Sequence, residues 1–249
     1  MIEYFLEILN MIEKVTKLGH KVLFIGDIHG LDEWNDIAIN GLKQFYEIVF
    51  LGDYVDSFFV KPVLQLNNLK NLCKFIRKNK SHVTALLGNH DYAYIKSIDS
   101  ISGKQYTQAH EYKKIFDDNI DLFQIAWGYT NDTTKKYTLS THAGVTKSFY
   151  EKFITPEMKE GEKIHETLNR LQDNVDLMWK VGVMRGGRSI PGPLWADYME
   201  VLTDPFEGIN QVFGHTPRPT VTVDTQGDDI IACVDSWGNK KAVSLLLTL

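Results

Sequence analysis

One plan recurs five times in this chain, and it constrains the fold more than any other feature. A short apolar run is followed by a tight, glycine-marked turn carrying Asp, Asn or His. The five turns are Gly26-Asp27-Ile28-His29-Gly30, Gly52-Asp53-Tyr54-Val55-Asp56, Gly88-Asn89-His90-Asp91, Thr141-His142-Ala143-Gly144 and Gly214-His215-Thr216-Pro217. The apolar runs, such as Val22 to Ile25, read as buried strands, and the glycines mark their ends. A single Asp-x-His at a turn is ordinarily a cap or a solvated loop. His29, His90, His142 and His215 all stand in the same strand-tip context, and coincidence is a poor account of four. His20, His82, His110 and His165 lack that context and receive no role.

The segments between the turns supply the frame. Residues 2–18 read as an amphipathic helix through Ile2, Phe5, Leu6, Leu9, Ile12, Val15 and Leu18, stopped by Gly19 and packed on the sheet. Strands are expected at 21–26, 48–51 and 83–87, with helices over 32–45 and 62–79 between them. That β-α-β-α-β order predicts a parallel sheet, whose sites lie beyond the carboxyl ends of its strands. Residues 92–130 read as mostly helical, with Tyr92, Tyr94, Tyr106, Tyr112, Phe116, Phe123 and Trp127 packing a core rather than stacking on bases. A strand over 137–141 ends at His142, and 147–182 reads as helical again. The Gly- and Pro-rich stretch from Gly182 to Pro193 carries Arg185 and Arg188, a composition suited to an oxyanion or phosphate contact. Strands over 211–215, 220–224, 230–235 and 242–248 complete a β-rich C-terminal half.

The bulk numbers set outer bounds. With 249 residues, 43% apolar and 24% charged, the chain fits one sizeable domain spanning 1–249. A net charge of -5 argues against broad nucleic-acid binding. Cys73 and Cys233 lie in apolar runs and read as buried free thiols, which suits a reducing compartment. No run approaches the roughly 18 apolar residues of a membrane span. Glu3, Glu7 and Glu13 interrupt the N-terminus, so no signal peptide is expected and the cytoplasm is the expected location.

Six candidate ligands emerge: Asp27, His29, Asp53, Asn89, His142 and His215. They mix hard oxygens with imidazole nitrogens and include no thiolate. Such a set suits manganese, iron, zinc or nickel rather than calcium. Donor softness does not choose among the four, and manganese is the first expectation. Six ligands exceed one ion with an open position but fit two ions sharing a carboxylate. Two ions roughly 3.5–4 Å apart clamp an in-line displacement at phosphorus and generate a bridging hydroxide at neutral pH. The leaving oxygen needs a proton, which His90 can supply, with Asp56 holding that imidazole charged and oriented.

Together these stretches resemble the calcineurin-like metallophosphoesterase superfamily. They are most similar to its phosphoprotein-phosphatase branch, which includes the phosphatase of bacteriophage lambda and bacterial diadenosine tetraphosphate hydrolases. The resemblance runs from Gly26 to Gly238. It implies an α/β (α+β) fold, a four-layer α/β/β/α sandwich with helical insertions at about 92–130 and 147–182, and a dinuclear site. It assigns Asp27 and His29 to a first metal, Asn89, His142 and His215 to a second, and Asp53 to the bridge, with His90 and Asp56 as the acid pair. It implies a phosphatase acting on a phosphorylated substrate: a phosphoprotein, a nucleotide or an RNA end. Dinucleoside polyphosphate hydrolysis and RNA-end or 2′,3′-cyclic phosphodiester hydrolysis are the enzymatic alternatives. A metal-binding scaffold without turnover is the alternative of another class. After the Asp56 position the branch usually has Arg-Gly, where this chain has Ser57 and Phe58. The arginine that grips phosphate in the branch is thus missing, and Arg185 or Arg188 is expected to replace its charge. Asp91 stands where protein phosphatases have glutamate. Asp235 resembles the branch's late strand-end aspartate and reads as a supporting residue.

Overall fold

The computed structural model describes residues 19–44, 46–236 and 243–249. The helix expected over 2–18 lies outside these residues. Among them, two five-stranded sheets face each other. In the first, β1 (Lys21–Ile25), β2 (Glu47–Phe50), β3 (Val83–Leu86) and β4 (Phe123–Gln124) run parallel, and β10 (Ser244–Thr248) pairs antiparallel with β1 on its outer side. The second is ordered β5 (Ala126–Thr130), β6 (Tyr137–Thr141), β7 (Ile209–Phe213), β9 (Asp229–Cys233) and β8 (Thr222–Gln226). Its inner strands β6, β7 and β9 are parallel, and β5 and β8 are antiparallel edges.

The layers follow from the two-residue period of the strands. In β1, Val22 and Phe24 point toward Trp127, Val212 and Ala232 of the second sheet. Leu23 and Ile25 point the other way, into a layer shared with Trp34 and Ala38 of α1 (Trp34–Lys43) and Leu69, Leu72 and Ile76 of α2 (Pro62–Lys78). On the far side of the second sheet, Phe213, Ile231 and Cys233 pack under Tyr198 and Val201 of α8 (Tyr198–Thr203). The result is helix, sheet, sheet, helix, as the resemblance implied. Cys73 and Cys233 are free and buried. No helix among the described residues is long and apolar enough to cross a membrane.

Two stretches are less helical than the sequence suggests. Residues 92–130 hold α3 (Asn89–Ile95) in part and α4 (Ala109–Asp118), but also β4 and β5. In β5, Trp127 and Tyr129 share one face and stack on each other at 6.3 Å; Trp127 also packs edge-on against Phe24, 5.7 Å between centroids, and Tyr129 stacks on His20 at 4.4 Å. Sheet pairing there overrides the helical reading. Residues 147–182 break into α5 (Lys147–Phe149), a π-helical turn over Tyr150–Ile154, α6 (Ile164–Arg170) and α7 (Val175–Met178). Most of the aromatics at 92–130 are buried as expected, but Tyr106 is 65% exposed.

Leu72 is fully buried between α2 and the first sheet. Leu72→Ala removes that contact and leaves a cavity, so unfolding free energy should fall by about 2–5 kcal/mol in urea titrations.

Candidate metal centre

All five turns gather at the carboxyl ends of their strands, three from the first sheet and two from the second. The backbone is bent hard to do this. His29 (φ 39°), Asp53 (φ 53°), Asp56 (φ 67°) and His215 (φ 64°) all take left-handed conformations that side chains disfavour. Gly88 has no room for a side chain: a Cβ there would lie 2.0 Å from Asp53 Oδ1. Asp91 locks the second and third turns together. Its carboxylate accepts from the backbone N–H of Gly88 (2.9 Å), Asp53 (2.8 Å) and Tyr54 (2.9 Å).

Asp53 lies at the middle. Its Oδ2 is 3.7 Å from His29 Nε2, 3.4 Å from His142 Nε2 and 4.0 Å from His90 Nε2. Ligand atoms fall into two groups, Asp27, His29 and Asp53 in one and Asp53, His142 and His215 in the other, each within 4.8 Å of one another. Asp53 belongs to both. Asn89 joins the second group, with Oδ1 3.0 Å from His142 Nε2.

The residues present fit divalent ions. His29 Nδ1 lies 2.7 Å from Val55 O, and His142 Nδ1 lies 2.8 Å from Leu51 O. If those nitrogens carry the protons, each Nε2 turns a lone pair into the site, the usual arrangement of a ligating histidine. The Asn89 amide can be turned to donate to His142 and Asp53. As it stands, its oxygen faces His142 Nε2, which in turn lies 3.1 Å from His215 Nδ1, a row of acceptor atoms that a cation would satisfy together. His215 Nε2 is buried without a hydrogen-bond partner among the described residues. The electrostatics agree. Burial, then the neighbouring Asp235, push the Asp27 carboxyl well above its ordinary range. Burial opposes charge on His142, but Asp53 and Asp27 outweigh it and raise the imidazole to about 10. Both shifts describe buried negative charge short of a counter-ion.

His90 and Asp56 form a separate pair beside this centre. His90 Nδ1 is 2.8 Å from Asp56 Oδ2, and the Tyr94 hydroxyl donates to Asp56 Oδ1 at 2.6 Å. Burial opposes protonation of His90, yet Asp53 and Asp56 raise its imidazole above the usual value. Arg185 reaches the second group: Nη2 donates to His215 O (3.2 Å) and Thr216 Oγ1 (2.9 Å), and Nε lies 3.1 Å from Asp197 Oδ2. Arg188 is exposed, and no contact among the described residues ties it to the centre. Asp235 is buried and electrostatically close to Asp27.

Sequence reasoning missed Tyr94 and Trp195. Tyr94 stands one helical turn after His90, a spacing that places it on the same face. Trp195 packs edge-on against His215 at 5.5 Å, and no local pattern announces that.

The family model for calcineurin-like phosphoesterases matches residues 20–240. The chain belongs to the calcineurin-like phosphoesterase family. Members of this family bind divalent metals and hydrolyse phosphoesters. No curated protein matches the chain. Solved structures similar to this calcineurin-like chain include the phosphoesterase YfcE from E. coli, 14% identical over 92% of each chain with a TM-score of 0.42. A metallophosphoesterase from Sphaerobacter thermophilus is 13% identical over 91% of this chain and 83% of its own, TM-score 0.43. An archaeal phosphodiesterase is 12% identical over 91% of this chain and 99% of its own, TM-score 0.35.

Asp91→Ala would orphan three buried backbone N–H groups. Each unpaired donor costs about 1–3 kcal/mol, so stability should fall by at least about 2 kcal/mol in urea titrations.

Proposed function

We propose that this chain is a dinuclear metallophosphoesterase that hydrolyses a phosphomonoester. The observation that carries the reading is the membership of Asp53 in two ligand groups at once. Asp27, His29 and Asp53 would hold one ion, and Asp53, Asn89, His142 and His215 the other. Manganese is our first assignment, and iron, zinc or nickel fit the same donors. When bound, such ions supply Lewis acidity, which lowers the pKa of a coordinated water and neutralises phosphoryl oxygens.

The chain's own groups do the rest. Water oxygen forms the new bond to phosphorus as the bond to the leaving oxygen breaks. His90, its Nδ1 held by Asp56, delivers the Nε2 proton to that leaving oxygen. Tyr94 donates to the other oxygen of Asp56, which fixes the carboxylate and so the ring. Arg185, whose guanidinium is held beside His215 and Thr216, is the better placed of the two arginines to meet a phosphoryl oxygen. The fullness of the ligand set and the acid pair favour a phosphatase of the phosphoprotein-phosphatase type over a scaffold without turnover.

The test is hydrolysis of phosphomonoesters after chelation. Stripped protein should be inactive and should recover with added manganese, binding two ions per chain by mass spectrometry of metal content. Asp53→Ala should bind fewer and recover nothing; full activity in that variant would overturn the mechanism. His90→Asn should slow alkyl phosphates by roughly 10²–10⁴-fold, because their leaving oxygens need the proton. Nitrophenyl phosphate, which leaves without one, should be slowed far less. Equal losses on both would remove His90 as the acid.

A further inference from the structure

The two oxygens of Asp56 face different parts of the molecule. Oδ2 lies 2.8 Å from His90 Nδ1, and the side chain is fully buried. Oδ1 accepts from the Tyr94 hydroxyl at 2.6 Å and from the backbone N–H of Gln105 at 3.2 Å. Gln105 N also donates to the Tyr94 hydroxyl, at 2.8 Å. Two donors, themselves in contact, thus fix Oδ1 and leave Oδ2 turned to the imidazole. The chain beyond Asp56 is held as well. Gln65, buried in α2, accepts from Ser57 N (3.0 Å) and donates to Ser57 O (3.2 Å) and Val60 O (2.7 Å).

Gln105 ends an irregular loop, residues 96–105, that leaves α3. Lys104 closes this loop on itself. Its ammonium donates to Ile98 O (2.6 Å) and Asp99 Oδ1 (2.8 Å). The lysine side chain is only 4% exposed, whereas Asp99 is 81% exposed. Lysine is rarely withdrawn from water, and an ion pair with so exposed a carboxylate forms as readily in solvent. Closing the loop does not need the charge either, because the Tyr106 hydroxyl donates to Asp99 O at 3.2 Å. The ammonium has one more neighbour: it lies 5.3 Å from the centroid of the Tyr94 ring. A cation over a phenol ring is attracted to its face, and the positive charge strengthens the hydroxyl as a donor. Lys104 therefore meets the acid pair twice, through the N–H of the next residue and through the ring of Tyr94.

We propose that Lys104 is a positioning residue for proton delivery by His90, acting through Gln105 N and Tyr94 on Asp56. This rests on the reading of His90 as the acid and extends it to a loop outside the five turns. Asp56 orients the imidazole from the Nδ1 side, which leaves Nε2 to meet the leaving oxygen. Whatever lets Asp56 swing tilts the ring and moves Nε2. Lys104 needs no contact with substrate or metal to have this effect.

The experiment compares methyl phosphate with nitrophenyl phosphate on the manganese-loaded full chain. The variants are Lys104→Met, Lys104→Arg, His90→Asn and the double variant Lys104→Met/His90→Asn. Displacing a catalytic group by about 1 Å costs about 10²-fold, so Lys104→Met should lower kcat for methyl phosphate by roughly 5- to 50-fold with KM little changed. The loss on nitrophenyl phosphate should be several-fold smaller, and Lys104→Arg should recover most of the rate. A residue that acts only through His90 has nothing left to lose without it, so adding Lys104→Met to His90→Asn should cost methyl phosphate less than about twofold. Equal losses on both esters, or losses that multiply in the double variant, overturn the proposal and leave Lys104 a staple of its loop. If wild type hydrolyses neither ester, or His90→Asn slows both equally, the acid reading falls, and NMR of the zinc-loaded chain then judges Lys104. The His90 Nδ1 proton should exchange with water faster in Lys104→Met than in wild type. An unchanged resonance and exchange rate overturn the positioning role.

Discussion

A carboxylate removed from water is tolerable only where positive charge or hydrogen-bond donors surround it. Asp53 is such a group, 2% exposed, with three imidazoles within 4.0 Å of its Oδ2. Its Oδ1 accepts from His90 N at 3.0 Å, which joins the turn after β2 to the start of α3. Around this one side chain the other turns are ordered. His29 comes from β1, His90 from β3 and His142 from β6, and each is aimed by a contact at its other ring nitrogen. The backbone at Asp53 is left-handed as well, φ 53°.

The two sheets divide the labour. The first supplies Asp27, His29, Asp53, Asn89 and the acid pair; the second supplies His142 and His215. A site split in this way forms only when the sheets are face to face. The apolar layer of Val22, Phe24, Val49, Trp127 and Val212 therefore sets the spacing of the centre as well as the stability of the fold. Contacts across the seam at the site itself are few and specific. His215 N donates to Asp27 carboxylate oxygens at 3.1 and 3.2 Å, and His142 Nδ1 lies 2.8 Å from Leu51 O.

Much of this could be read from the chain. The strand-and-turn plan was legible because each ligand lies a fixed step beyond an apolar run, and strand direction then forces convergence. Helix α2 was legible because Leu69, Leu72 and Ile76 repeat with the helical period and Pro62 opens it. Strands β4 and β5 were not, since Phe123 to Thr130 is short, aromatic and mixed in polarity, and its pairing with β3 and β6 is decided by distant partners. The fragmentation of 147–182 was hidden for a similar reason: its turns are short helical pieces whose ends depend on tertiary contacts. Among the arginines of the glycine-rich stretch, composition favoured neither. Only the fold separates Arg185, held beside His215, from Arg188, which is exposed. Gln65 carried no sequence signal, because an amide that clamps a loop looks like any polar residue on a helix.

Strand β10 pairs with β1 along its whole length, from Lys21 opposite Thr248 to Ile25 opposite Ser244, and Gly26 N donates to Val243 O. The first strand of the sheet is thus completed by the last strand in chain order. During synthesis, the edge beside Asp27 and His29 stays open until nearly all of this sequence has left the ribosome. The sheet that carries those two ligands is therefore complete only once β10 has been made. A nascent chain would hold its earliest ligands on an unfinished sheet, where exposed edge hydrogen bonds invite pairing with other chains.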